Sequence, residues 1–193
     1  MSHTAQNFDH LLGTLKGISD KQLQAHFGLY KGYVARLNLM EKELKTADKS
    51  HTNYSWGHWS ELKRREAVAL NGTYLHQLYF ENLQLQGAPN NELATAINAA
   101  FGSYDEFVKD LKATALCTIG WVVVTKSRID GKLHTYLMTE HHTGFPVLQD
   151  IVLVLDSYEH AFAIDYGTDR GSYIDSFVEN INWDVVNKRF SSL

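Results

Sequence analysis

The sequence predicts an α+β protein: a domain of two long antiparallel helices (residues 1–88), then an α/β domain (89–193) with a small three-stranded antiparallel sheet. Apolar residues recur at helical spacing through the first half, whereas β-branched runs typical of strands occur in the second half. The breaker run Gly87-Ala88-Pro89-Asn90-Asn91 separates the two patterns and predicts the domain boundary. A chain of 193 residues is long enough to bury a core of this kind.

Two long helices account for the first domain. Ser19 and Gln22 have the spacing of an N-cap and its polar partner, which predicts that a helix begins there and extends over about 19–46. Asn, Ser and Gly residues indicate a loop over 47–57. A second helical pattern follows over about 60–85.

Shorter elements account for the second domain. Its strands are predicted from apolar, β-branched runs, and Asp130-Gly131 is a typical hairpin turn between the first two. The predicted elements are helices over 92–100 and 104–117, strands over 119–125, 133–139 and 151–155, and closing helices over 158–162, 172–181 and 185–190.

The composition excludes several classes of protein. The single cysteine, Cys117, excludes an internal disulfide framework or a thiolate-cluster metal site, and we expect it to be a small buried residue. A net charge of −4 gives no basic footprint for nucleic acid, and no apolar run approaches the length of a membrane span, so neither partner is expected. The first residues resemble no secretory signal, so a cytoplasmic location is expected.

The ten histidines suggest a metal site, and two of them stand out. His26 and His76 lie on the apolar faces of the two long helices, among aromatic residues. Burying an imidazole there is costly unless both ring nitrogens find partners. A metal ion on one nitrogen and a hydrogen bond on the other would meet that requirement.

Asp156 and His160 form the strongest local signal, since they follow a wholly apolar strand and lie four residues apart. They can converge on one ion if the chain turns helical directly after the strand. The alternative is that Asp156 is an ordinary helix N-cap. Three imidazoles and one carboxylate would suit iron or manganese.

Four stretches of this sequence, in order and covering nearly the whole chain, resemble the iron/manganese superoxide dismutase family. The stretch from His76 to Leu83 is similar to the family's second ligand helix. Asp156-Ser157-Tyr158-Glu159-His160-Ala161-Phe162 is similar to its Asp-x-Trp-Glu-His-Ala-Tyr signature. The other two stretches are 18–26 with 33–38 and 101–104 with 120–121, and Asn182-Trp183 also matches the family's closing helix.

The resemblance implies a metal ion held by His26, His76, Asp156 and His160, with water or hydroxide as a fifth ligand. The ion would be one iron or manganese per subunit, with iron slightly favoured. The implied reaction is the dismutation of superoxide, in which the trivalent ion oxidises one superoxide and the divalent ion reduces another to hydrogen peroxide. Solvent bound to the metal would store one of the protons that the reaction consumes.

The group that hydrogen-bonds this solvent differs from the usual family pattern. Iron-type members have a glutamine four residues before the second ligand, where this chain has Gly72. Manganese-type members supply the glutamine from the C-terminal hairpin, at a position that falls here on His141. His142 is a near alternative, and an exposed His-His pair without this role is another.

The residues that line the substrate channel also differ. The family usually has a histidine four residues after the first ligand and a tyrosine eight after it. Here Tyr30 takes the first position and Tyr33 lies seven residues after His26, so Tyr33, or failing that Tyr30, is expected to line the channel. Ala163 replaces a tyrosine that usually faces the first of these positions across a dimer.

The resemblance also carries expectations for an interface and for the surroundings of the metal. Glu159 would reach across a homodimer to a ligand histidine of the other subunit, although it could be a plain surface residue. Arg170 matches a channel arginine that would attract superoxide. Tyr158 and Tyr74 replace two tryptophans near the metal, and Trp121 is retained.

The sequence alone leaves one other function open and disfavours a second. The substitutions around the site are compatible with a dismutase-fold protein that binds metal but has weak or altered redox activity. A ferritin-like di-metal protein would need Glu-x-x-His pairs on two helices, and the N-terminal helices lack this spacing.

Overall fold

A computed structural model describes residues 2–84 and 86–193. It confirms the predicted fold class, with seven α-helices in this part of the chain and a small antiparallel sheet. The helices are α1 (Asp20–Leu44), α2 (His58–Glu81), α3 (Asn91–Phe101), α4 (Tyr104–Leu116), α5 (Ala163–Tyr166), α6 (Arg170–Glu179) and α7 (Trp183–Ser191), and the strands are β1 (Trp121–Ser127), β2 (Leu133–Met138) and β3 (Gln149–Asp156).

Helices α1 and α2 pack together as the predicted hairpin. The Ser19 hydroxyl caps α1 by accepting a hydrogen bond from the backbone N–H of Gln22 at 3.1 Å. The predicted end of the second helix, Leu85, lies outside the described residues. Helix α1 runs without interruption past Tyr30 and Tyr33, so the seven-residue step from His26 to Tyr33 occurs within a regular helix.

The sheet has the order β2-β1-β3, and both pairs are antiparallel. Trp121, the first residue of β1, lies opposite Asp156, the last residue of β3. Strand β1 begins two residues later than predicted because Ile119 is exposed and Gly120 lies against the backbone of β2. A side chain at Gly120 would collide with the carbonyl oxygen of Met138.

Two buried amides connect the helical hairpin to the second half of the chain. The side chain of Asn82, just after α2, donates to the carbonyl of Val154 on β3 at 2.7 Å. The side chain of Gln22 donates to the carbonyl of His160 at 2.6 Å and accepts from the backbone N–H of Ile164 at 3.0 Å. These bonds set the distance between the helices and the carboxyl end of β3.

The expectation of a buried cysteine was wrong, because Cys117 is exposed. It directly follows Leu116, the last residue of α4, and the apolar residues around it also face outward: Leu116 is 57% exposed and Ile119, in the connection, is 66% exposed. Because Cys117 lies just beyond the end of α4, it is not part of the helix face that packs against the core, and it is exposed.

No helix among the described residues is both long and apolar enough to cross a membrane.

Candidate metal centre

The structure brings His26, His76, Asp156 and His160 together, with one potential ligand atom of each lying within 4.8 Å of the others. His26 comes from α1, His76 from α2, Asp156 from the end of β3, and His160 from the 3-10 turn that follows. The carboxylate Oδ2 of Asp156 is 3.1 Å from Nε2 of His26, 3.1 Å from Nε2 of His160 and 3.7 Å from Nε2 of His76. All three imidazoles therefore point the same nitrogen at one centre.

The two oxygens of Asp156 have separate roles. Oδ1 accepts a hydrogen bond from the backbone N–H of Tyr158 at 2.9 Å, a short-range turn contact that resembles the N-cap alternative. Oδ2 remains directed at the histidines. The backbone carbonyl of Asp156 accepts a hydrogen bond from the hydroxyl of Tyr173 at 2.7 Å, which fixes the strand end from behind.

His76 has the arrangement that a ligand histidine requires. Its Nδ1 donates to the backbone carbonyl of Gly72 one turn earlier, so the neutral ring carries its proton there and has a lone pair on Nε2. That Nε2 is buried and lacks a hydrogen-bond partner within residues 2–84 and 86–193. A buried acceptor without a partner costs about 1–3 kcal/mol, so an occupant of the centre would remove a real penalty.

Burial favours the neutral forms of His26 and His76, whereas the neighbouring histidines favour the ionised form of Asp156. Burial lowers the pKa of His26, although Asp156 opposes this, and burial together with His26 lowers the pKa of His76 well below its ordinary value. Burial alone would raise the pKa of Asp156, but His160 and His26 outweigh it and hold this pKa well below its usual range. Neutral imidazole and ionised carboxylate are the states that bind metal ions.

His141, and not His142, lies next to this centre. The His141 ring is 5.8 Å from that of His76, whereas His142 is exposed and lies 3.6 Å from Glu140. The side chain of Asn71 on α2 donates to the backbone carbonyl of His141 at 2.6 Å. The turn that carries His141 is thus attached directly to the helix that carries His76.

Tyr33 lies at the centre and the hydroxyl of Tyr30 points elsewhere. The Tyr33 ring stacks on His76 with centroids 5.2 Å apart, and burial together with the charge of Asp156 raises the pKa of its hydroxyl. The Tyr30 hydroxyl instead accepts a hydrogen bond from the backbone N–H of Gln6 at 3.1 Å.

The surrounding aromatic residues agree with the sequence expectations at two positions out of three. Tyr158 stacks on His160 with centroids 5.0 Å apart, and Trp121 contacts His76 edge to face at 4.9 Å. Tyr74 was expected near the metal, but it is 40% exposed and its hydroxyl bonds to Nδ1 of His3 at 2.7 Å. The expectation fails because Tyr74 faces the N-terminal segment, on another side of α2.

Among residues 2–84 and 86–193, Arg170 makes no hydrogen bond to any of the four candidate metal ligands. Its Nη1 donates to the carbonyl of Thr118 at 2.6 Å, and its guanidinium lies over the ring of Phe162. Glu159 is exposed, beside His160. A surface cavity of about 280 Å³ lies instead next to Tyr33, and it is lined by Gly28, Leu29, Gly32, Tyr33 and Arg36.

Asn71, Tyr173 and the side chain of Gln22 support the site but were not singled out from the sequence. An amide in the first turn of a helix is ordinary, and a tyrosine in an amphipathic helix is usually a core residue. No spacing signal connects these residues to the ligands, because each acts through a contact between distant parts of the chain.

Comparison with known proteins gives the same family in both halves of the chain. The family model of iron/manganese superoxide dismutases, C-terminal domain, matches residues 89–189. The chain is 38% identical to "Superoxide dismutase [Fe]" of Aquifex aeolicus, over 97% of this chain and 92% of that protein. It is 35% identical to "Superoxide dismutase [Fe]" of Cupriavidus metallidurans over 92% and 91%, and 31% identical to "Superoxide dismutase [Mn] 1" of Halobacterium salinarum over 90% and 86%.

Gly72→Ala should destabilise the protein by about 1–3 kcal/mol, although alanine normally stabilises a helix interior. A Cβ at this position would overlap the ring of Tyr33. Gly32→Ala in α1 is the matched control, because its Cβ would meet open space and should add about 0.5–1 kcal/mol of stability. Denaturant unfolding of the metal-free protein measures both, and a stabilising Gly72→Ala would contradict the tight contact with Tyr33.

His141→Gln should make the stability of the metal-free protein less sensitive to acid. Burial lowers the pKa of His141 from 6.5 to about 4, so between these values the unfolded chain binds the proton and the folded chain does not. Stability contributed by this group is therefore lost as the pH falls through that window, at up to about 1.4 kcal/mol per pH unit.

The measurement is the free energy of unfolding at several pH values between 7 and 4 for His141→Gln and for His51→Gln, which changes an exposed histidine in the loop between α1 and α2. The slope should decrease only in the first variant. Equal slopes in both variants and the parent would show that His141 does not resist protonation in the folded protein.

Proposed function

Because the chain belongs to the iron/manganese superoxide dismutase family, we propose that His26, His76, Asp156 and His160 bind one iron or manganese ion at which superoxide is converted to oxygen and hydrogen peroxide. The observation that carries the proposal is the convergence of three Nε2 atoms and one carboxylate oxygen on one buried point. Nε2 of His76 has no hydrogen-bond partner among the described residues, and an occupant of that point would satisfy it, which supports the proposal.

The donor set suits the proposed ion. Imidazole nitrogen and carboxylate oxygen are ligands of intermediate to hard character, which favour iron and manganese over softer ions. When bound, such an ion supplies the redox step by taking an electron from one superoxide and giving it to the next. Two superoxide anions and two protons thereby become one oxygen and one hydrogen peroxide, so the protein itself must deliver anions and protons.

The chain's own residues meet these needs from one side. We assign the route of superoxide to the cavity next to Tyr33, where Arg36 supplies a positive charge in a protein of net charge −4. Arg170, which was expected to attract superoxide, donates a hydrogen bond to the carbonyl of Thr118 near β1. Tyr33, which lines this cavity, is also hydrogen-bonded to His141.

We propose iron as the preferred ion. Two of the relatives described above carry iron in their names, at 38% and 35% identity, and a third carries manganese at 31%. The glycine at position 72 and the histidine at position 141 do not match the usual iron-type pattern, so activity with manganese is also expected, at a lower level.

Metal analysis tests these assignments directly. Protein isolated from cells should contain about one ion per chain, mainly iron, and should catalyse dismutation faster than the free ion. His160→Gln removes one imidazole lone pair and should lower metal affinity by about tenfold or more, with activity falling in parallel. His134→Gln, at a half-exposed histidine of β2, is the control.

The activity measurement has two contrary outcomes. A loaded protein that is no faster than the free ion would contradict the proposed reaction. A rate far below that of the named relatives, with metal fully bound, would favour the second candidate, a metal-binding dismutase fold with weak or altered redox activity.

We also propose that the protein is a homodimer with Glu159 in the interface. Glu159 is exposed next to His160 and lacks an ion-pair partner in the described part of this chain. Leu116 ends α4 and Ile119 lies in the connection to Gly120, and both are exposed. The carbonyl of Gly120 accepts the backbone N–H of Ser157 at 2.8 Å, so this apolar surface lies close to Glu159. A carboxylate rimmed by apolar residues is suited to a subunit contact.

Glu159→Ala should shift the protein towards monomers, because a buried charged contact across the interface would be lost. Glu179→Ala changes an exposed glutamate on α6 and should leave the assembly unchanged. Sedimentation velocity measures both. A monomeric parent protein would contradict the homodimer, and a dimer unaffected by Glu159→Ala would remove Glu159 from the interface.

A further inference from the structure

Trp121, His141 and Tyr33 form a continuous hydrogen-bonded chain beside the metal ligands. The indole Nε1 of Trp121 is 2.8 Å from Nδ1 of His141, and Nε2 of the same ring is 2.5 Å from the hydroxyl oxygen of Tyr33. Trp121 is fully buried and His141 is 6% exposed, so water has little access to replace either bond. Both ring nitrogens of His141 are therefore used within the protein.

The chemistry of the indole decides where His141 carries its proton. An indole N–H can only donate a hydrogen bond, so Nδ1 of His141 has to accept and cannot itself bear a proton. An imidazolium has N–H groups at both nitrogens, which would direct two hydrogens at each other between Trp121 and His141. The ring is therefore neutral with its single proton on Nε2, and the lowering of its pKa to about 4 by burial agrees with this.

The position of that proton decides the direction of the next bond. Nε2–H of His141 donates to the hydroxyl oxygen of Tyr33, so the phenolic proton cannot lie in that bond. A phenolic O–H prefers the plane of its ring and has two in-plane positions, one of which faces His141. The phenolic proton therefore takes the other position, away from His141.

A neutral histidine has one N–H group, whereas the glutamine side chain that the family resemblance leads us to expect at this position has two. An amide has two N–H groups and could donate to Tyr33 and to a second acceptor at the same time. His141 has one, and the structure directs it at Tyr33. A ligand bound among the four metal-binding residues must therefore receive its hydrogen bond from another group.

We propose that Trp121 is a positioning residue that fixes His141 as the Nε2–H tautomer and commits its single N–H to Tyr33. The hydroxyl of Tyr33, and not His141, then donates a hydrogen bond to a small anion bound at the metal. The tautomer itself depends on no metal, whereas the role of Tyr33 rests on the proposed function. This changes the expectation that His141 itself bonds the metal-bound solvent.

Nitrogen NMR of the metal-free full-length protein tests the tautomer. In ¹⁵N-labelled protein, Nδ1 of His141 should have the chemical shift of an unprotonated imidazole nitrogen and Nε2 that of a protonated one. The His141 signals are identified by their loss in His141→Gln and their retention in His142→Gln. A proton found on Nδ1 would overturn the proposal.

Trp121→Phe keeps an aromatic ring in the core but removes the indole N–H. A mixture of the two His141 tautomers should then appear, whereas a purely structural role for Trp121 would leave the tautomer unchanged. Near-ultraviolet circular dichroism checks that the variant is folded. If it is not, the parent protein's own nitrogen shifts still decide the tautomer.

Azide binding to the iron- or manganese-loaded protein tests the role of Tyr33, with the absorption spectrum as the readout. Tyr33→Phe should weaken azide binding by about tenfold, the value of one hydrogen bond to a charged group. Tyr30→Phe, which removes a hydroxyl on the same helix that bonds to Gln6, should bind azide as the parent does. Unchanged binding in Tyr33→Phe would overturn the assignment of Tyr33.

The two measurements separate the two proposals. If the parent protein bound neither iron nor manganese, the proposed function and the role of Tyr33 at the metal would fail together. The NMR result would still decide whether Trp121 fixes the tautomer of His141.

Discussion

The buried carboxylate of Asp156 is the constraint on which the rest of the structure depends. An ionised group with no solvent exposure is tolerated only if opposite charge and hydrogen bonds surround it. Its Oδ1 is satisfied by the Tyr158 backbone, and its Oδ2 faces three imidazoles from three separate elements. Burial disfavours a positive charge on His26 and His76, so a cation at the centre would complete the balance. The same arrangement that makes this point costly without a cation makes it a strong metal site.

The fold holds this point by joining two parts of the chain through buried polar bonds. The antiparallel register brings Trp121 next to Asp156, while Asn82 and Gln22 connect the helical hairpin to β3 and to the turn that carries His160. Buried amide bonds of this kind have a defined length and direction, whereas apolar packing alone would allow the helices to slide. The distances among the ligand atoms therefore follow from contacts made well outside the centre.

Most of the fold was predictable because its signals are local. The cap at Ser19, the periodic apolar faces of α1 and α2 and the β-branched runs of the sheet each act within a few residues, and the structure confirms the fold class built from them. The errors occur where burial depends on distant neighbours. Cys117 is exposed because its connection lies on the surface, and β1 begins late because Gly120 is pressed against β2.

For the site, the sequence by itself determined which residue types are available to bind a metal: two histidines on apolar helix faces, and an aspartate and a histidine four residues apart after a buried strand. It could not separate Tyr30 from Tyr33, since residues three apart lie on nearly the same face of a helix, nor His141 from His142, which are neighbours in one turn. The tertiary structure decided both, through the Gln6 backbone at Tyr30 and through Trp121, Asn71 and Tyr33 around His141. The physical reason is that a hydrogen bond between distant segments depends on where the whole chain places its donor and acceptor, which no local pattern encodes.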